Sequence, residues 1–135
     1  MESYQKSLLA ALSEALFGQK TEYEMQDESY REAMQQAVLP LLMSVAPNCA
    51  YQKENGAILA NSIRSFYEHG ELHEIMTDAH VPYVVLKGAV SASYYPDPVL
   101  RSMGDVDFFV RSDDVAKAGA ALENNEFISD HPCSK

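Results

Sequence analysis

Basic residues are scarce in this sequence, cysteines are few, and long apolar runs are missing. Ten Lys and Arg stand against 20 Asp and Glu, for a formal net charge of −10. Binding nucleic acid without sequence preference needs a basic surface that displaces counterions, so that role is not expected. The two cysteines, Cys49 and Cys133, lie far apart. They supply neither a disulfide framework nor the ligand spacing of a zinc site. No apolar stretch approaches the roughly 18 residues that a membrane span needs. The N-terminus is polar and lacks the apolar centre of a signal peptide. The default expectation is therefore a cytoplasmic chain in a reducing compartment. Internal repeats and low-complexity segments are also absent. With 135 residues, 47% of them apolar, the chain is long enough to bury one ordinary core.

What is present divides near residue 80. Residues 1–80 read as a helical region. Between Ser3 and Phe17, Leu8, Leu9, Leu12, Ala15 and Leu16 recur at helical spacing, with Ser3 as a cap and Gly18 as a stop. The polar stretch from Gln19 to Gln26 is a connection. A second helix is expected from Asp27 to Val45, with Met34, Val38, Leu41, Leu42 and Val45 as its stripe and a kink or break near Leu39 because of Pro40. A third runs from Asn55 to His80, with a break near Gly70. Its apolar residues are Ile58, Leu59, Ile63, Phe66 and Tyr67, then Leu72, Ile75 and Met76. His69 and His73 are four apart and share a face. That spacing permits a metal site, but no fixed third ligand accompanies it, and a solvated face is the preferred reading.

Two short segments carry the chemistry. The first is an apolar strand, Tyr83 to Leu86, opened by Pro82 and followed by Lys87 and Gly88. Gly88 leads into a short helix, Ala89 to Tyr95. Free N–H groups at such a turn are where phosphates bind. A stiff loop with two prolines then carries Arg101 toward a second strand that opens with Asp105 and Asp107 and runs to Val110. Side chains alternate along a strand, so the two carboxylates emerge on one face and Val106 and Phe108 on the other. Adjacent carboxylates repel, and a divalent cation such as Mg²⁺ makes the pair favourable. Phosphate cradle and acid pair together suit phosphoryl or nucleotidyl transfer from a nucleoside triphosphate. Tyr94 and Tyr95 stand near enough to stack on a base, although packing is the commoner use of such a residue. Beyond Val110, Ser112 reads as the cap of a last helix, to about Asn124, with Val115, Ala118, Ala121 and Leu122 inward.

The pattern Leu86-Lys87-Gly88, Tyr94-Tyr95-Pro96, Arg101 and Gly104-Asp105-Val106-Asp107 resembles an uncharacterised family of the polymerase-beta-like nucleotidyltransferase superfamily. The likeness runs from about Val81 to Phe127. It implies an α+β fold, in which a helical region (residues 1–80) precedes an incomplete nucleotidyltransferase core (residues 81–135) of strand, helix, strand and helix. It also implies metal-dependent transfer of a nucleoside monophosphate to an acceptor that the sequence does not name. By that resemblance Asp105 and Asp107 are catalytic ligands of Mg²⁺ or Mn²⁺, and Lys87, Gly88, Arg101 and Gly104 bind the nucleotide. Ala89 stands where the broader pattern has Ser or Gly. The superfamily's third acid sits on a later strand, and no such strand is legible after Phe127; Glu126 and Asp130 are the only late acids to consider. The expectation is therefore a piece of a longer protein, inactive alone, whose open strand edge favours a homodimer. The alternatives are a noncatalytic nucleotide-binding module and a protein-interaction module.

Overall fold

The first helix, α1 (Ser3–Phe17), begins one residue after Glu2, whose N–H donates to Gln5 Oε1 at 3.0 Å. Glu2, not Ser3, therefore holds the cap position. Gly18 ends the helix at φ 69°, a left-handed conformation that costs glycine little. Leu8 and Ala11 are buried, whereas Leu9 points to solvent. The computed structural model describes residues 1–128.

The expected second helix is two helices, α2 (Asp27–Gln35) and α3 (Leu39–Val45). The break falls just before Pro40, and Ala37 turns the chain with φ 58°. Pro40 then sits in the first turn of α3, where its missing N–H has no partner to lose. Leu8, Ala11, Tyr30, Ala33, Leu39 and Leu42 form the first core. Tyr30 stacks on Tyr51 at 5.0 Å and donates its hydroxyl to the Ala46 carbonyl. Leu42 is fully buried there. Leu42→Ala is expected to cost about 2–5 kcal/mol in denaturant unfolding, and Leu9→Ala a small fraction of that.

Next comes α4 (Gln52–Asp78), 27 residues long and continuous through Gly70. The expected break does not occur, since an interior glycine costs only about 1 kcal/mol against alanine. The buried face also differs from expectation. Ile63 and Tyr67 are 60% and 68% exposed, while Ser62, Ser65, Leu72 and Met76 face inward.

The remaining elements follow the expected order: β1 (Tyr83–Val85), α5 (Ala89–Ala92), β2 (Phe108–Val110) and α6 (Val115–Asn124). The strands pair antiparallel, with Tyr83 opposite Val110, Val84 opposite Phe109 and Val85 opposite Phe108. Both are shorter than expected, but one further bond, Leu86 N–H to the Asp107 carbonyl at 3.0 Å, extends the ladder. Tyr83, Val106, Phe108 and Val110 pack on a second core of Leu72, Met76, Val81 and Ala118. The other face of the sheet is open: Val84 and Phe109 are each 63% exposed. Among the described residues the strands are thus covered on one side only, and Phe109 does not enter the core. The helix α5 stops at Ala92, short of Tyr95. Ser112 opens a 3₁₀ turn, Ser112–Asp114, instead of capping α6, and Val115 is exposed. The architecture is α+β, mostly helical, with α4 serving both cores: Ile58 packs against the first, Leu72 and Met76 against the second. Asp130, His131 and Cys133 lie outside the described residues.

Candidate functional site

Strand β1 delivers Leu86 and Lys87 to a sharp turn at Gly88, where φ is 66° and ψ −115°. A Cβ at Gly88 would lie 2.7 Å from His69 Nε2, so the backbone angle favours glycine and any side chain would have to displace the His69 ring. The following α5 has only four residues. Ala92 N–H donates to the Gly88 carbonyl at 2.9 Å, which leaves the N–H groups of Ala89, Val90 and Ser91 ahead of the first helical bond, but so short a helix contributes little of the field expected at a longer one's start.

The acid-bearing segment is fixed to this turn. The ladder bond from Leu86 to Asp107 sets the two side by side. Lys87 Nζ lies 3.9 Å from Asp107 Oδ2, with both side chains at least half exposed; such a pair is worth about 0–1 kcal/mol. Asp105 and Asp107 do not open β2 as expected but precede it in a segment without regular secondary structure, and Val106 between them packs toward the second core. Asp105 borders a cleft of about 330 Å³ walled by Glu68, Leu72, Phe108 and Leu122. Lys87, Gly88 and Asp107 therefore meet around the ladder, with Gly104 and Asp105 on the adjoining segment. Arg101 enters through its backbone, because its carbonyl is held by Ser62.

That last contact belongs to a feature sequence reasoning missed. Three side chains of α4 donate to the carbonyls of the segment that leads to the acids. Asn61 Nδ2 reaches Met103 at 2.7 Å, Ser62 Oγ reaches Arg101 at 3.0 Å, and Ser65 Oγ reaches Gly104 at 3.1 Å. One turn further on, His69 abuts Gly88. A segment without regular structure must find partners for those of its peptide groups that are turned inward, and this polar seam supplies them. The signal was a polar interruption at helical spacing, 61, 62, 65 and 69, in line with Leu72 and Met76.

The two glycines of the motif differ. Gly104 has an ordinary backbone, and a Cβ there meets open space. Gly104→Ala is expected to change stability by no more than about 0.5 kcal/mol in thermal unfolding, in contrast to Gly88→Ala.

His69 is not on a solvated face. Burial pushes its pKa below the ordinary 6.5, and the nearby Glu68 offsets this only in part. The fold thus favours the neutral ring. Stability from this group is complete above about pH 6.5 and is lost as pH falls through the lower folded value. Between about pH 7 and 5 the protein is expected to lose stability, and His69→Gln to flatten that part of the profile. His73 is engaged elsewhere, its Nδ1 2.8 Å from the Tyr83 hydroxyl, so the two histidines do not converge on a metal.

No group of three or more metal-ligating side chains assembles among the described residues. Glu126 is exposed in the turn that closes α6, at φ 69°. The donor set nevertheless fits Mg²⁺. Asp105 and Asp107 are exposed hard-oxygen donors with one residue between them, and among the described residues Asp107 is held only by a long, weak ion pair. Mg²⁺ commonly takes one or two carboxylates and completes its shell with water and substrate phosphates.

A family model described as an uncharacterised nucleotidyltransferase matches residues 24–135. No curated protein and no solved structure matches the chain.

Proposed function

The chain belongs to the uncharacterised nucleotidyltransferase family, and from that premise we propose that it binds a magnesium nucleoside triphosphate where the Gly88 turn meets Asp105 and Asp107. The observation that supports this reading is the Leu86–Asp107 ladder bond, because it brings the strand that leads into the Gly88 turn beside the acid-bearing segment, some 17 residues on in sequence. Asp105 and Asp107 hold Mg²⁺ or Mn²⁺. The free N–H groups after Gly88 and the Lys87 ammonium hold phosphate oxygens, with Lys87 released from its weak pair with Asp107. Arg101 and Gly104 flank the same site. With the cation bound, charge on the phosphates is neutralised. In the full reaction an acceptor hydroxyl attacks the α-phosphorus, the bond to the bridging oxygen breaks, and pyrophosphate leaves. The acceptor's proton needs a base, and no carboxylate among the described residues is assigned to that step. In this reading residues 81–135 carry the nucleotide-binding core and 1–80 are the helical region that supports it. No helix among the described residues is long and apolar enough to cross a membrane, and we place its work in the cytoplasm.

Mn²⁺ makes the site visible. Its paramagnetic resonance signal is expected to show weak binding to the protein alone, tighter binding with ATP, and neither in Asp105→Asn/Asp107→Asn. Equal Mn²⁺ signals in both proteins would remove the reading.

A second reading, protein interaction, is favoured by the open sheet face of Val84 and Phe109. It includes a homodimer through an unpaired strand edge. Sedimentation at tens of micromolar decides that point: a clean monomer rules the dimer out.

A further inference from the structure

We infer that His69 is a positioning residue of the nucleotide site, holding the Gly88 turn in its phosphate-facing conformation from beneath. The inference rests on the nucleotide reading for its ligand and on this structure for its geometry. The ring fills the space that a side chain at position 88 would take: Nε2 lies 2.7 Å and Cε1 3.2 Å from the position of a Gly88 Cβ. The methyl group of buried Met103 lies 3.8 Å from the same point. Helix α4, the glycine turn and the segment leading to the acids therefore meet at one place. The turn needs such a support. Gly88 adopts a conformation that side chains disfavour, and the four-residue α5 that follows is too short to fix it.

The chemistry of the contact is polar. His69 Nε2 is buried and has no hydrogen-bond partner among the described residues. A dry, unpaired imidazole nitrogen is costly, whereas leucine or methionine would fill the same space without that cost. In a neutral ring one nitrogen donates and the other accepts. Because Nε2 abuts Gly88, the peptide groups on either side of that residue flank it. Phosphates drawing on the turn's N–H groups reorient those peptides, and Nε2 is the group placed to meet them. His69 acts through Gly88 and does not itself touch the nucleotide.

Calorimetric titration of Mg-ATP into the full chain tests the role, with His69→Gln, His69→Leu and His69→Ala beside the wild type. Glutamine carries an amide to about the level of Nε2, while leucine fills space without a polar atom. Leu and Ala are expected to weaken binding at least ten-fold and Gln less than three-fold. Leu binding as well as Gln would reduce His69 to packing and overturn the inference, as would wild-type affinity in Ala. A ligand-free cycle judges the contact separately. Gly88→Ala is expected to lower the melting temperature much less in a His69→Ala background than in the wild type, because the 2.7 Å clash is gone. Equal drops would overturn the contact. A wild type that fails to bind Mg-ATP removes the nucleotide reading and the phosphate-facing role with it, while the cycle still reports whether His69 sets the turn.

Discussion

The triple variant Asn61→Ala/Ser62→Ala/Ser65→Ala is expected to lose about 3 kcal/mol of stability, at roughly 1 kcal/mol per hydrogen bond. It should also free the segment that carries the acids. The three losses are unequal for a physical reason. Ser62 is fully buried and Ser65 is 2% exposed, so water cannot readily take the place of either hydroxyl at the Arg101 and Gly104 carbonyls. Each of those carbonyls is left unpaired, which costs more than a replaced bond. Asn61 makes the shortest of the three contacts, 2.7 Å, but stands on the exposed side of the seam; its removal should cost least. The sites are neighbours, so the losses will not add strictly. Native-state hydrogen exchange across 101–107 is the direct readout. Faster exchange there, with the first core unchanged, is the expected pattern, and unchanged exchange would mean that the seam does not hold the segment.

Asp105→Asn/Asp107→Asn is expected to split binding from stability. Two charge-assisted ligands at about 1.5–3 kcal/mol each correspond to a loss of roughly 10²-fold or more in metal-dependent nucleotide affinity. Stability should stay within about 0.5 kcal/mol or rise slightly. The chain carries a net charge of −10, both residues are exposed, and the one ion pair lost, Lys87–Asp107 at 3.9 Å, is weak. A variant that melts well below the wild type would assign the pair a structural role. A variant that still binds Mg-ATP would place the nucleotide elsewhere.

Local signals were legible in the sequence and long-range ones were not. Gly18 stopped α1, Pro40 separated α2 from α3, and the order strand, helix, strand, helix followed from turn residues and apolar runs. Each of these depends on a residue's immediate neighbours. The break at Gly70 did not appear because a helix of 27 residues packed into two cores tolerates one glycine. Periodicity identified α4 but misjudged its face, taking Ile63 and Tyr67 as inward when Ser62 and Ser65 are buried. The reason lies about 40 residues away in sequence, in the carbonyls of 101 and 104. The Gly88 turn was legible because a glycine before a helix is a local fact, whereas the acids expected to open the second strand precede it. His69 was not legible: its neighbour Gly88 lies 19 positions further along the chain, and only folding brings them together. Apolar runs do not show which face of a strand has a cover, and Val84 and Phe109 have none among the described residues.

The most direct test of the nucleotide site is calorimetric titration of ATP, GTP, CTP and UTP into the full chain with and without Mg²⁺, using Asp105→Asn/Asp107→Asn as the control. Binding of at least one nucleotide that requires Mg²⁺ and disappears in the double variant is the predicted result. A folded protein that binds none of the four with Mg²⁺, or binds one equally well without the metal and without the carboxylates, would contradict it.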